Sequence, residues 1–335
     1  MSLSAVAGMV APDSTPDKPE LHSLEPADLA ILVNVADPLS IAIGAYYAAQ
    51  RHVPDRNVIR IRFDYQRDTI PGDEFNTLRS TVERKASPTL QGYVLTWARP
   101  YRAGCMSITS AFAFGMYEEY CASGCTPTRA NPYFNTWGKL PYSDLRIRPA
   151  MSIAAEDFAH AKALIDRGVQ SDGKAPRGTA YLVTTSDPQR NVRSMEYAFG
   201  ARVANREFDF NVVTGPAPVA PSDVMFYFTG AAAVQGIERI RLLPGAVADH
   251  LTSFGGMLTD SSQMSSLRWL DAGATGSYGT VVEPCNLLGK FPNVGVLMAH
   301  YLAGETLIEA YWKSVQMPGQ GLFIGEPLAA PFRKR

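Results

Sequence analysis

Residues 28–38 read DLAILVNVADP. A strand with one face in water alternates apolar and polar residues, whereas a strand covered on both faces is apolar almost throughout. The run from Leu29 to Val35 is of the second kind. Asp37-Pro38 stops it, because proline has no N–H to give a ladder and pushes the residue before it out of the helical region. The stretch therefore predicts a buried parallel strand ended by a turn, and a parallel strand needs a crossover connection, usually a helix, to reach its neighbour.

The next residues supply that crossover. LSIAIGAYYAAQRHV (39–53) carries apolar residues at helical spacing, with Asp37 or Ser40 placed to cap it. NVIRIRF (57–63) alternates as a short strand, GDEFNTLRSTVERKA (72–86) is a second amphipathic helix, and GYVLTWA (92–98) a third strand. Residues 101–150 break this rhythm with glycine, proline, aromatic residues and three cysteines. A stretch that long with poor periodicity is read as a functional insertion over one end of the sheet.

The alternation returns with a helix over 154–169, a strand over 178–185, a helix over 186–205 and strands over 208–214, 223–230 and 239–251. A helix over 262–273, a strand over 274–284 and one long helix over 291–315 follow. Strands alternating with helices argue for an α/β fold: a mainly parallel sheet flanked by helices. The expected organisation is a flexible N-terminal arm over 1–27, rich in Pro, Ser and Asp, and a single α/β domain over 28–335 with the insertion 101–150.

The totals narrow the functional classes. Thirty-one basic and 32 acidic residues leave a formal charge of −1, which offers no field for nucleic acid or an anionic membrane. No apolar run approaches the roughly 20 residues that cross a bilayer, so no membrane span is expected. The first residues lack the basic region of a signal peptide. Neither G-x-x-x-x-G-K-[ST] nor G-x-G-x-x-G after the first strand is present, and no nucleotide cofactor is expected. Cys121 and Cys125, with Cys105 upstream, have a spacing zinc could use, but the insertion contains no histidine. A disulfide within it is favoured over a metal if the protein is exported.

In open α/β sheets ligands sit beyond the carboxyl ends of the strands. If 239–248 is a strand, Asp249, His250 and Ser253 lie just past its end, and the following strand delivers Glu283 and Cys285 to the same side. A cysteine nucleophile needs a depressed pKa, which an imidazole beside it supplies; Asp249 or Glu283 would orient that imidazole. The competing reading makes His250 a hydrogen-bonded core residue and Cys285 a buried apolar one. Ser253 and Ser277 offer a serine route, although neither lies in G-x-S-x-G. His52, His160 and His300 are read as helix-end or packing residues, and His22 falls in the arm.

A resemblance enters through the C-terminal third. AGATGSYGTVVEP (272–284), YLAGETLIEAYWKSV (301–315) and GLFIGEPLAAPF (321–332) resemble the C-terminal half of caspase-like and gingipain-like peptidases. In that frame DVMFYFTGAA looks like the strand bearing the histidine and LLPGAVADHLTS like the strand bearing the nucleophile. More closely, AIGAYYAAQRHVP (42–54), CMSITSAFAFG (105–115) and LPGAVADHLTSFGG (243–256) look like a family of bacterial proteins that accompany the exosortase protein-sorting system. The peptidases' His-Gly is Thr229-Gly230-Ala231 here, and their terminal Cys is replaced by Ala248-Asp249-His250. The resemblance implies a hydrolase of cysteine-peptidase type with a rebuilt site, or a non-catalytic domain binding peptide or glycan. It also implies a periplasmic or extracellular location.

Overall fold

The computed structural model describes residues 23–259 and 261–334; most of the expected arm, His22 included, lies outside them. In the first half, β1 (Leu29–Asn34), α1 (Pro38–Arg51), β2 (Val58–Ile61), β3 (Thr69–Ile70), α2 (Gly72–Lys85) and β4 (Gly92–Leu95) follow in order. The insertion region holds β5 (Arg102–Ala103), β6 (Met106–Ser107), α3 (Ile108–Phe114), α4 (Pro141–Leu145) and β7 (Ala150–Ser152). Then come α5 (Phe158–Ser171), β8 (Thr179–Val183), α6 (Tyr197–Glu207), β9 (Asn211–Gly215), β10 (Val224–Gly230) and β11 (Leu242–Leu251). The remaining elements are α7 (Leu267–Asp271), β12 (Gly276–Thr280), α8 (Val294–Leu302), α9 (Leu307–Ser314) and β13 (Gly321–Gly325).

Ten strands form one sheet in the order β2-β1-β4-β7-β13-β12-β11-β10-β8-β9. The set β2-β1-β4-β7 is parallel, as is the set β12-β11-β10-β8-β9. Between them β13 runs antiparallel to β12 and meets β7 where Ile324 stands opposite Ser152. The expected α/β architecture, a mainly parallel sheet flanked by helices, is the observed one. All six residues of β1 are buried, as its unbroken apolar run requires. Asp37 accepts the Leu39 N–H as the α1 cap, with Pro38 in the first turn.

The insertion does more than cover one end of the sheet. All seven residues of α3 are buried; Phe112 packs edge-to-face on Phe75 and Tyr93, and Phe114 on Trp312. Ser107 caps α3 through the Ser110 N–H, and Asn131 ties the following loop to the Trp312 and Val315 carbonyls at 2.8 and 3.1 Å. β3, β5 and β6 form a separate small sheet.

The long helix expected over 291–315 is two helices. Gly304 breaks it at φ +102°, a conformation open to glycine, and Thr306 starts α9 with a capping box closed by Glu309. At the sheet's lower end Arg51 binds Glu326 (Nε–Oε1 2.8 Å) and also Asp172. This network pins α1 to the segment after β13.

Candidate functional site

β11 continues through Leu251, so Asp249 and His250 lie within the strand instead of beyond it. Successive strand residues face opposite sides of a sheet. Asp249 accordingly joins Arg193 at 2.6 Å on one face, where Arg193 also donates to the Thr229 carbonyl and lies over the Phe228 ring. Burial pushes the Asp249 carboxyl above its ordinary range, against the pull of the guanidinium. His250 faces the other layer: its Nδ1 accepts the Trp269 Nε1–H at 3.1 Å, leaving Nε2–H to donate to the Met264 carbonyl at 3.0 Å. Desolvation depresses its pKa to about 4, so the ring is neutral.

The expected His250–Cys285 dyad does not form. Cys285 is joined to Cys125 in a disulfide, and Cys105 is joined to Cys121. A bridged sulfur has no thiolate to offer, and both ring nitrogens of His250 are engaged elsewhere. Asp249 cannot orient His250, because the two point to opposite faces. Exposed Glu283 instead accepts the Cys285 N–H at 2.8 Å and shapes the turn after β12. There Cys285 and Asn286 both take positive φ, near 57° and 56°. Ser277 is fully buried in β12 opposite Ile324. Ser253 is partly exposed; its carbonyl accepts the Thr280 hydroxyl, and no base is hydrogen-bonded to its Oγ among the described residues.

β10 and β11 do pair in register, Thr229 beside His250 and Gly230 beside Leu251. The space past their ends is filled. Arg190 donates to Thr252 Oγ1 at 3.1 Å and pairs with Asp187 at 2.8 Å, while Gln263 Oε1 accepts both Thr252 Oγ1–H and the Phe254 N–H. A Cβ at Gly230 would stand 2.0 Å from the Arg190 carbonyl oxygen, so that position carries no side chain at all.

An open cavity of about 540 Å³ stands elsewhere at the carboxyl ends. Asp37 follows β1, Tyr65 follows β2, Arg99 follows β4 and Glu156 follows β7, and all line it. The segment after β11 closes the remaining wall with Leu258, Thr259, Ser265 and Arg268. β1 connects through α1 to β2 on one side while β4 pairs on the other. The strand order therefore reverses here, and such switch points are where open α/β sheets hold ligands. Asp37 is buried at the base, and Glu156 and Arg268 are exposed. Arg99 lies 4.0 Å from Asp68, which accepts the Thr259 hydroxyl at 3.0 Å and so links the two walls. Sequence reasoning placed Asp37 as a cap and passed over Arg99, Glu156 and Arg268. The signal was available in the Asp-Pro after the first strand and in the switch-point rule.

No family model and no curated protein matches the chain. Among solved structures it is similar to a complex of Porphyromonas gingivalis RgpB pro- and mature domains at 8% identity and a TM-score of 0.43, over 90% of this chain and 79% of that one.

Proposed function

We propose that this domain is a binding module that holds a polypeptide segment in the cavity at the β1/β4 switch point, and that it carries out no acyl transfer. The observation behind this reading is the contrast between the two carboxyl-end regions. Where a dyad was expected, the sulfur is bridged, the imidazole is neutral and engaged, and Arg190 and Gln263 fill the space. At the switch point an open cavity presents two carboxylates, two guanidiniums, hydroxyls and the apolar Leu39, Leu258 and Leu267. Mixed charge beside apolar wall matches a peptide, which offers both donors and acceptors along its backbone and varied side chains.

Two disulfides favour an oxidising, extracytoplasmic setting. No helix among the described residues is long and apolar enough to cross a membrane. The resemblance to the exosortase-associated family makes exported proteins the natural source of the peptide. Titration of fluorescent peptide pools against the disulfide-intact protein tests the reading. Saturable binding should weaken at least tenfold in Arg99→Ala/Arg268→Ala and in Asp37→Asn, a change that keeps the α1 cap. Cleavage of a peptide that Ser253→Ala abolishes would overturn it.

A further inference from the structure

We infer that β9 is a self-pairing edge through which two copies of this chain join their sheets. The two edges of the ten-stranded sheet are β2 and β9. An open strand edge is a template for another strand, and proteins blunt it with charge or cover. β2 is blunted. Ile61 turns its carbonyl to β1, where it accepts the Val35 N–H, so Arg60 turns its backbone outward. The outward Arg60 carbonyl is capped by Lys85 Nζ at 2.9 Å, and the strand carries the Arg60 charge.

β9 has neither device. Its sequence, NVVTG, contains no charge and no proline. The Gly215 carbonyl accepts the Thr184 N–H from the end of β8. Backbone groups alternate along a strand, so Asn211, Val213 and Gly215 face β8 while Val212 and Thr214 turn their N–H and C=O groups outward. No hydrogen bond among the described residues reaches those outward groups. Val213 is 46% exposed. Of the eight exposed large apolar side chains among the described residues, half fall in residues 195–219: Met195, Phe199, Val213 and Val219. They belong to α6, the turn before it, β9 and the loop after it, and α6 packs against β9.

The strand fits a second copy of itself. In a two-fold antiparallel pairing centred on Val213, the Val212 and Thr214 groups of one copy exchange hydrogen bonds with Thr214 and Val212 of the other. The two Val213 side chains meet as a non-hydrogen-bonded pair, where Cα atoms approach to about 4.5 Å and β-branched side chains pack well. Asn211 then faces Gly215, and no like charges meet along the strand. Such an interface is isologous and closes after two copies.

Light scattering across a dilution series of the oxidised full chain, combined with amide exchange, tests the inference. The expected particle has twice the 36.4 kDa chain mass, and its Val212 and Thr214 amides exchange slowly. Val213→Lys sets like charges opposite each other, and Thr214→Pro deletes an outward N–H that the intramolecular ladder does not use. Both should yield monomers with unchanged circular dichroism and fast exchange at Val212. A wild-type monomer at every concentration, a dimer that survives both substitutions, or protection of β9 only when a foreign extended peptide is added would each overturn it.

Discussion

His250 is held neutral by its surroundings: Trp269 donates to one nitrogen, Met264 accepts from the other, and burial brings the pKa down to about 4 from 6.5. A folded-state pKa below the unfolded one means the unfolded chain takes the proton first. The His250 contribution to stability is therefore whole above about pH 6.5 and is lost as pH falls toward 4, on the order of 3 kcal/mol in all. Urea melts of the wild type should weaken across that window, and His250→Gln should flatten the change while losing about 1–3 kcal/mol at neutral pH from imperfect pairing with Trp269. On the opposite face, Asp249→Asn strands Arg193, a cation 1% exposed. Such a break costs about 3–5 kcal/mol, whereas Asp249→Leu with Arg193→Met should recover much of that loss in the same melts. The sequence displayed both residues but hid their separation. Only the strand's end point decides whether neighbours in sequence are neighbours in space, and Leu251 extends the strand past both.

At the scale of elements, the strands were legible wherever burial imposed an unbroken apolar run, as in β1 and β10. Two helices read as one, because α8 and α9 share a continuous apolar pattern that outweighed the two signals of the break, Gly304 and the Thr306-x-x-Glu309 capping box. Gly304→Ala at φ +102°, with Arg333 Cα already 3.0 Å from the added methyl group, should cost at least about 1–2 kcal/mol, read as a lower melting temperature. The pairing of Cys285 with Cys125 was beyond sequence reasoning, since four cysteines permit three pairings and these two are 160 residues apart. Native alkylation mapped by mass spectrometry should find no reactive thiol at Cys285 before reduction. After reduction Cys125 and Cys285 should label together, with a stability loss of about 2–4 kcal/mol.

For the whole molecule, the alternation of strands and helices sufficed for the fold class, but strand order did not follow from it. Nothing in GLFIG (321–325) says that this strand lies between β7 and β12. The same gap hid the cavity, whose walls come from residues as distant as Asp37 and Arg268 and are assembled only once the strand order is known. A chain stopped before Gly321 should lose the cooperative urea transition of the full chain. β13 supplies the hydrogen bonds between the halves, and Glu326 just beyond it answers the buried Arg51.

That central strand also orders events during synthesis. Ribosomes deliver the amino end first, so nine of the ten sheet strands emerge before β13. Until it arrives, β7 and β12 are raw edges facing one another across an empty slot, each able to recruit a wrong strand. The nascent protein should therefore depend on chaperones most heavily until β13 has emerged, and chains stalled or released before that point should be the ones that aggregate.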